Sequence, residues 1–202
     1  MSEIASRSEP EKGAGQSQAW NLPNLLTYGR ILAVPLVAGL LMYGGVGARW
    51  MALAIYVAAA ITDFLDGYLA RRWQQQSSLG RMLDPIADKV LVAVVLLILC
   101  SEQILDGGHR WAAVVILSRE VLVSGLREYL GELRVSVPVT RIAKWKTTAQ
   151  FLAIGFLIAG PAGDRLVPYV TETGIGLLWV AAGLTLYTGY DYFRAGLRHV
   201  VD

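Results

Sequence analysis

The chain has 202 residues, of which 54% are hydrophobic and only 17% are charged, against about 25% charged residues in soluble domains. A net charge of only +2 gives no indication of a nucleic-acid partner, and the single cysteine, Cys100, excludes an internal disulfide and a two-cysteine metal site. The composition is that of a membrane protein, and the length suits one domain.

Residues 1–20 are predicted to form a disordered cytosolic tail. Their stretch MSEIASRSEPEKGAGQSQ is polar, mixed in charge and without the apolar core of a cleavable signal. Six apolar segments follow, most of them close to the roughly 20 residues that a membrane helix requires. Their predicted bounds are Leu25–Tyr43, Trp50–Ala70, Ile86–Leu105, Trp111–Leu130, Thr147–Ala162 and Gly174–Tyr192. Residues 21–202 are therefore predicted to form one all-α, polytopic membrane domain of six transmembrane helices.

Lysines and arginines concentrate in alternate links between these segments. The links after the second and fourth segments and the C-terminal tail hold Arg71, Arg72, Arg81, Arg134, Arg141, Lys144, Lys146, Arg194 and Arg198. The other three links hold only Arg49, Arg110 and Arg165. Because basic residues accumulate on the cytoplasmic side, this alternation predicts a multi-pass protein of the inner membrane with both termini in the cytoplasm.

Two aspartates lie near the end of the second segment. Asp63 and Asp66 are spaced i,i+3 and so share one helix face, which Gly67 and Ala70 extend. Small residues on such a face let another helix or a ligand approach the backbone closely. A simpler alternative for Asp66 is an ion pair with an arginine at the end of the helix.

A second acidic pair lies at the start of the third segment. Gly80, Asp84 and Asp88 recur every four residues and share one face if that stretch is helical. Asp84 could instead cap a helix N-terminus, with Pro85 at the first helical position. Four neighbouring carboxylates repel one another, and burial adds several kcal/mol for each ion. Two divalent cations balance that charge, and all-oxygen ligands suit Mg²⁺ or Mn²⁺, so a two-metal site that binds a phosphoryl group is predicted near the cytoplasmic face.

At these residues the sequence resembles the CDP-alcohol phosphatidyltransferase family, whose signature is DxxDGxxAR, eight further residues and GxxxDxxxD. The fixed positions of the signature are filled by Asp63, Asp66, Gly67, Ala70, Arg71, Gly80, Asp84 and Asp88. Three other stretches, NLPNLLTYGRI, SREVLVSGLREYLGE and AKWKTTAQ, look like a subgroup that uses glycerol 3-phosphate. The resemblance covers nearly all of the chain after the tail, and the six-helix count also fits the family.

The resemblance implies transfer of the phosphatidyl group of CDP-diacylglycerol to glycerol 3-phosphate, which gives phosphatidylglycerophosphate and CMP. It also implies that the four motif aspartates hold two divalent cations, and that Asp88 is the general base for the attacking hydroxyl. The residues matched to the binding of the CDP moiety are Thr27, Asp66, Gly67, Ala70, Arg71, Ser77 and Gly80. Asn24 and Arg30 match the opening of the subgroup, although capping and anchoring of the first helix would also explain them.

A dianionic acceptor that approaches an anionic donor needs cations of its own. Arg119 and Arg127 are eight residues apart, about two turns along one side of the fourth segment, and Lys144 lies near the start of the fifth. We expect these three residues to bind the acceptor phosphate. The alternatives are that Glu120 and Glu128 neutralise the two arginines, and that Lys146 only extends to the membrane surface.

Other functions share parts of this pattern. The acceptor could be another alcohol, such as inositol phosphate or serine, and membrane prenyltransferases also use aspartate-rich motifs with magnesium and a diphosphate. A divalent-cation transporter would need acids near the middle of the membrane, whereas these acids crowd one side. Membrane lipid is an expected partner, and the family resemblance suggests a homodimer.

Overall fold

A computed structural model describes residues 22–73, 78–132 and 141–197. Within these ranges the description of side chains omits residues 22–24, 63–73, 78–81, 84, 132, 141, 143–144, 191 and 195–197. The described backbone consists of helices and short turns, without strands. The helices are α1 (Leu22–Tyr43), α2 (Val46–Trp73), α3 (Ser78–Ser101), α4 (Arg110–Glu132), α5 (Arg141–Gly163) and α6 (Val170–Leu197), and a 3₁₀ turn (Gly107–His109) precedes α4.

Over the described residues the predictions of an all-α fold and of six helices are confirmed, and each predicted segment coincides with one helix except at the end of the third. By length and hydropathy, two stretches of the described chain are long and apolar enough to cross a membrane, Leu25–Tyr43 in α1 and Val170–Arg194 in α6. A third apolar stretch, Val46–Thr62 in α2, is shorter. The turn between α1 and α2 lies at Gly44 and Gly45, whose φ angles are 77° and 88°. Glycine adopts positive φ angles with little steric strain because it has no Cβ.

The predicted end of the third segment is wrong by four residues. Helix α3 ends at Ser101 rather than at Leu105, and Gln103 has a φ of 60°, which is incompatible with a continuing α-helix. Leu105 is nonetheless fully buried in the core. Leu105 therefore packs the turn after α3 into the core and does not extend the helix.

The capping interpretation of Asp84 is also wrong. Helix α3 begins at Ser78, so Asp84 and Pro85 lie inside the helix rather than at its N-terminus. Pro85 is the eighth residue of α3, beyond the four N–H groups that have no helical partner, so α3 lacks the hydrogen bond that an N–H at this position would donate to the carbonyl four residues earlier. The helical backbone places Gly80, Asp84 and Asp88 at i,i+4 spacing along one side of α3.

Helix α1 packs against both acid-bearing helices, α2 and α3, while α5 packs against α2 and most extensively against α6. Helix α4 packs on α6. The centre of the bundle is filled by buried aliphatic side chains from all six helices, including Val37, Leu41, Ala52, Val95, Leu96, Leu99, Ile116, Ile154, Leu157 and Leu178. This core fixes the relative positions of the helix ends that carry charged side chains.

One end of the bundle is held together by Arg49 at the start of α2. Its Nη2 pairs with the Glu102 carboxylate in the turn after α3, and its Nη1 donates to the carbonyl oxygen of Ile158 at 3.1 Å. That carbonyl lies beside a kink in α5, where Gly160 has non-helical angles (φ 40°, ψ −126°) and precedes Pro161. The arginine thus hydrogen-bonds a carbonyl in a region where the helix ladder is interrupted.

The same end contains the link from α5 to α6. The Asp164 carboxylate accepts hydrogen bonds from the backbone N–H and the hydroxyl of Thr171 in the first turn of α6. These two hydrogen bonds lower the pKa of the exposed Asp164 carboxyl from its ordinary value. Asp164 therefore fixes the start of α6 relative to the end of α5.

Candidate active site

The two acidic pairs lie on the two helices that flank α1. The structure places five signature residues in the α2 backbone and three in the α3 backbone. The predicted site residues whose side chains lie outside the described part are Asp63, Asp66, Gly67, Ala70, Arg71, Gly80, Asp84 and Lys144, and Ser77 lies outside it altogether. Their roles stay predictions, and the described part of the signature is the side chain of Asp88.

Asp88 is contacted by a buried arginine from α1. Arg30 Nη1 donates to Asp88 Oδ1 at 2.9 Å, and the two side chains are 1% and 36% exposed, respectively. Thr27 lies one turn before Arg30 and is also buried, so α1 presents a polar patch towards the acid-bearing helices. A buried cation that donates to this partly exposed carboxylate fixes its orientation.

A cluster of charged side chains joins α4 and α5. Glu120 Oε1 accepts hydrogen bonds from Arg119 Nη1, at 3.2 Å, and from Lys146 Nζ. Arg119 and Lys146 are nearly buried, with side-chain exposures of 11% and 7%. Two cations share one carboxylate, so this cationic cluster (Arg119, Glu120 and Lys146) keeps a net positive charge.

Helix α6 holds Arg119 from its other side. Arg119 Nη2 donates to the hydroxyl of Thr188 at 3.3 Å. A Cβ added at the next residue, Gly189, would lie 3.3 Å from Arg119 Cγ, closer than most Cβ contacts, and 3.7 Å from Nε. The glycine therefore leaves room for the arginine. Arg119 Nε is buried and has no hydrogen-bond partner among the described residues.

Arg127 lies on the same side of α4 as Arg119, since both contact α6. Its Nη2 donates to the Tyr192 hydroxyl at 3.1 Å, and its guanidinium carbon lies 5.3 Å from the centre of the Tyr192 ring. Such a cation–π contact orients the guanidinium without neutralising it. Among the described ion pairs none joins Glu128 to Arg127, whereas the predicted pairing of Glu120 with Arg119 is present.

The interpretation of Lys146 as a residue that extends to the membrane surface is wrong. Lys146 is 6% exposed and its ammonium group pairs with Glu120. A lysine so placed contributes its charge to the interior of the bundle rather than to the surface. Lys146 thereby joins Arg119 as a cation of this region, a role that the sequence had suggested for Lys144.

The residues of the signature fit divalent cations by their chemistry. Among the described side chains no three acids, histidines or cysteines lie together, and three of the four motif aspartates are outside that part. Asp88 has a carboxylate that is one-third exposed and can contact a ligand. A donor set made only of carboxylates is what Mg²⁺ and Mn²⁺ accept.

The sequence profile of CDP-alcohol phosphatidyltransferases matches residues 20–187, which includes all of α1 to α5 and most of α6. The chain belongs to the CDP-alcohol phosphatidyltransferase family. The match confirms the resemblance that the signature carries. The two acid-bearing helices and the cationic cluster all lie within the matched residues.

Several relatives of this chain carry the name CDP-diacylglycerol–glycerol-3-phosphate 3-phosphatidyltransferase. The one from Cereibacter sphaeroides is 40% identical over 91% of this chain and 98% of its own length. The one from Rickettsia typhi is 45% identical over 87% of this chain and 96% of its own. The one from Shigella flexneri is 38% identical over 91% and 98%, respectively.

Three residues of this family member were missed as contributors to the site. Thr188, Gly189 and Tyr192 on α6 contact or make room for the two α4 arginines. Arg30, which the sequence had associated with the subgroup or with anchoring of the first helix, contacts Asp88. The sequence contained one signal for α6, because Thr188 and Tyr192 are four residues apart and so share one face of the helix. Their partners on α4 lie more than 60 residues away along the chain, and no local pattern indicates such a pairing.

Proposed function

We propose that this protein transfers the phosphatidyl group of CDP-diacylglycerol to glycerol 3-phosphate, which yields phosphatidylglycerophosphate and CMP. The observation that carries the proposal is the cationic cluster on α4 and α5, which is separate in sequence from the acidic signature. A donor diphosphate calls for carboxylates that bind cations, whereas an acceptor phosphate calls for positive side chains. The name of the relatives described above specifies a reaction with both a CDP-linked donor and a phosphate-bearing acceptor.

The donor site is assigned to α1, α2 and the start of α3. Asp63, Asp66, Asp84 and Asp88 would hold two divalent cations, Mg²⁺ or Mn²⁺, which when bound polarise the diphosphate and offset its charge. The CDP moiety is assigned to Thr27, Asp66, Gly67, Ala70, Arg71, Ser77 and Gly80. Arg71 offers a planar fork of donors for diphosphate oxygens, and Gly67 leaves the backbone open to the nucleotide.

The acceptor phosphate is assigned to Arg119, Arg127, Lys144 and Lys146. Two features support Arg119 in particular: its buried Nε has no described partner, and α6 holds the guanidinium in place. In this arrangement Glu120 orients both Arg119 and Lys146 while it leaves net positive charge for the phosphate.

The chemical step is a direct displacement. The glycerol hydroxyl oxygen forms a bond to the phosphorus that carries diacylglycerol, the bond from that phosphorus to the bridging oxygen breaks, and CMP leaves with the electron pair. The hydroxyl proton passes to Asp88, whose carboxylate is partly exposed and oriented by Arg30. Arg119 and its neighbours hold the acceptor so that its hydroxyl points towards that phosphorus.

We assign the chain to the inner membrane, with six spans and both termini in the cytoplasm. The alternation of basic residues along the chain supports this orientation. The ion pair of Arg49 with Glu102 lies at one end of the bundle, and the ion pair of Arg30 with Asp88 lies towards the other end of α1 and α3. This placement agrees with helices that alternate in direction. The acidic signature then faces the cytosol, from which glycerol 3-phosphate arrives.

A homodimer is proposed as the assembly. Outward-facing apolar side chains on α3 and α4, such as Leu97, Val114 and Val121, permit a second copy to pack there within the bilayer. Crosslinking of single-cysteine variants at these positions in native membranes measures this directly. Crosslinks between copies are expected at α3 and α4, and uniform reactivity without dimer formation would count against it.

The test of the reaction uses purified protein, CDP-diacylglycerol with a labelled CMP moiety, Mg²⁺ or Mn²⁺, and separate acceptors. Release of CMP with glycerol 3-phosphate, at a rate well above that with serine or inositol phosphate, is expected. A preference for another alcohol would reassign the acceptor. Release of a diphosphate from a prenyl donor, or no CMP release from any mixture, would reject the phosphatidyltransferase reaction.

A further inference from the structure

A second feature of the bundle is an apolar groove between α2 and α5, closed at one end by the start of α6. Its volume is about 650 Å³, within the range of small-molecule sites. The walls are almost entirely apolar and the groove is open along one side. Residues that line it include Trp50, Tyr56 and Ile61 on α2 and Phe151, Gly155 and Phe156 on α5.

The groove runs along α2 towards the acidic signature. Trp50 and Ile61 are separated by about 16 Å along the helix, close to the ~15 Å that half of the hydrocarbon core measures. Asp63 follows Ile61 by two residues, and by helix spacing it lies two turns beyond Tyr56, on nearly the same side of α2. The groove therefore begins beside the acidic residues and extends away from them.

The polarity of the walls limits what can occupy this groove. The hydroxyl of Tyr56 donates a hydrogen bond to the carbonyl oxygen of Phe151, at 3.3 Å, so that it offers little to a ligand. An extended peptide would leave its backbone N–H and C=O groups without partners against such walls, which costs several kcal/mol for each group. An acyl chain has no groups of this kind.

We infer that the groove holds an acyl chain of the phosphatidyl donor and determines which chain lengths the protein accepts. The inference rests on the proposed function, since the donor's phosphates must lie at the acidic signature for its chain to enter at the Ile61 end. Gly155 lies midway along the groove: a Cβ there would meet Leu53 Cδ1 at 3.8 Å and Tyr56 Cε1 at 3.9 Å. These are ordinary contact distances, so a larger side chain fits the backbone and fills the groove.

The test compares Gly155→Leu with Gly176→Leu, a matched control on α6 where an added Cβ meets nothing within 4 Å. Each variant and the wild type receive dioctanoyl and dipalmitoyl CDP-diacylglycerol in mixed micelles with glycerol 3-phosphate. Gly155 lies ~8–12 Å along α2 from Ile61, by its contacts with Tyr56 and Leu53. An octanoyl chain ends near this depth, whereas a palmitoyl chain continues beyond it.

For Gly155→Leu we expect kcat/KM for the dipalmitoyl donor to fall about tenfold, because the blocked chain misplaces the reacting phosphorus. For the dioctanoyl donor we expect kcat/KM to fall less than about twofold, because its chain ends before the new side chain. Gly176→Leu should keep the wild-type ratio. An unchanged ratio in Gly155→Leu would overturn the inference. If the wild type itself releases no CMP from either donor, the proposed function fails instead, so the two failures are distinguishable.

A second measurement uses the wild-type protein and needs no variant. A CDP-diacylglycerol with a diazirine at the end of one chain should label peptides from α2 and α5 around Trp50 and Phe156. Excess unlabelled CDP-diacylglycerol should abolish this labelling, and excess phosphatidylcholine should not. If phosphatidylcholine abolished the labelling equally well, any bilayer lipid would fill the groove. If only other helices were labelled, or if dimer formation abolished the labelling, the acyl chain would lie elsewhere. Each of these results would overturn the inference.

Discussion

Substitution of Gly189 by alanine tests whether the position of Arg119 controls acceptor binding. The new Cβ would lie 3.3 Å from Arg119 Cγ and 3.7 Å from its Nε. The arginine has little freedom to retreat, because Glu120 and Thr188 hold its guanidinium and its side chain is 11% exposed. A displacement of a few tenths of an ångström at Cγ is therefore passed on to the charged group.

We expect Gly189→Ala to raise the KM for glycerol 3-phosphate about three- to tenfold, which corresponds to about 0.7–1.4 kcal/mol of acceptor binding. The kcat should change by less than about twofold, because the donor site on α1 to α3 is untouched. Arg119→Ala, which removes the cation altogether, should raise the same KM further, by roughly 10- to 100-fold for the loss of a charged hydrogen bond.

Gly183→Ala is the matched control on the same helix, since an added Cβ there meets nothing within 4 Å. Both substitutions gain about 0.8–1.0 kcal/mol of helix propensity, so that only the contact with Arg119 distinguishes them. The assay is the initial rate of CMP release at saturating donor and varied glycerol 3-phosphate, with thermal unfolding to verify folding. If folded Gly189→Ala and Arg119→Ala both keep the KM of the control, Arg119 has no part in acceptor binding.

Three further substitutions address other parts of the structure. Arg30→Met should lower kcat about tenfold or more because Asp88 loses a charge-assisted hydrogen bond, with Arg30→Lys less affected; a folded methionine variant with wild-type kcat would separate Arg30 from the reaction. Asp84→Asn should abolish CMP release at every Mg²⁺ and Mn²⁺ concentration, and activity that persists in the purified variant would count against the assigned metal ligands. Asp164→Ala should lower Tm without changing turnover at low temperature, because the start of α6 loses two hydrogen bonds from Thr171. Folding lowers the pKa of Asp164, so the stability that this residue contributes is present above the ordinary aspartate pKa and is lost as the pH falls through the lowered pKa. The Tm difference between Asp164→Ala and wild type should therefore vanish in acid. A Tm difference that stays constant with pH would contradict this cause.

The helices were predictable because glycine and charge mark their ends. Gly44 and Gly45 interrupt the first apolar run at the residues where the chain needs positive φ angles. The end of α3 was placed too late for a physical reason: Ile104 and Leu105 are apolar because they pack in the core as part of a turn. Hydrophobicity alone does not distinguish a buried turn from the last turn of a helix.

The candidate site was predictable to the extent that its residues are close in sequence. The spacing within the two acidic pairs follows from the helix repeat, and the position of Arg119 in an apolar segment signalled a functional cation. The inward position of Lys146 did not follow from the sequence, since the packing of α5 on its neighbours decides which side of the helix faces inward. Only the assembled bundle brings Lys146 to Glu120.

The central claim is that glycerol 3-phosphate attacks the phosphorus bearing diacylglycerol. Its most direct test incubates the purified protein with CDP-diacylglycerol and with glycerol 3-phosphate that carries heavy oxygen in its C1 hydroxyl. The products are then identified by mass spectrometry. Direct displacement predicts phosphatidylglycerophosphate that carries the heavy oxygen and CMP that does not. Formation of CDP-glycerol and phosphatidate, or of a lipid product without the heavy oxygen, would contradict it.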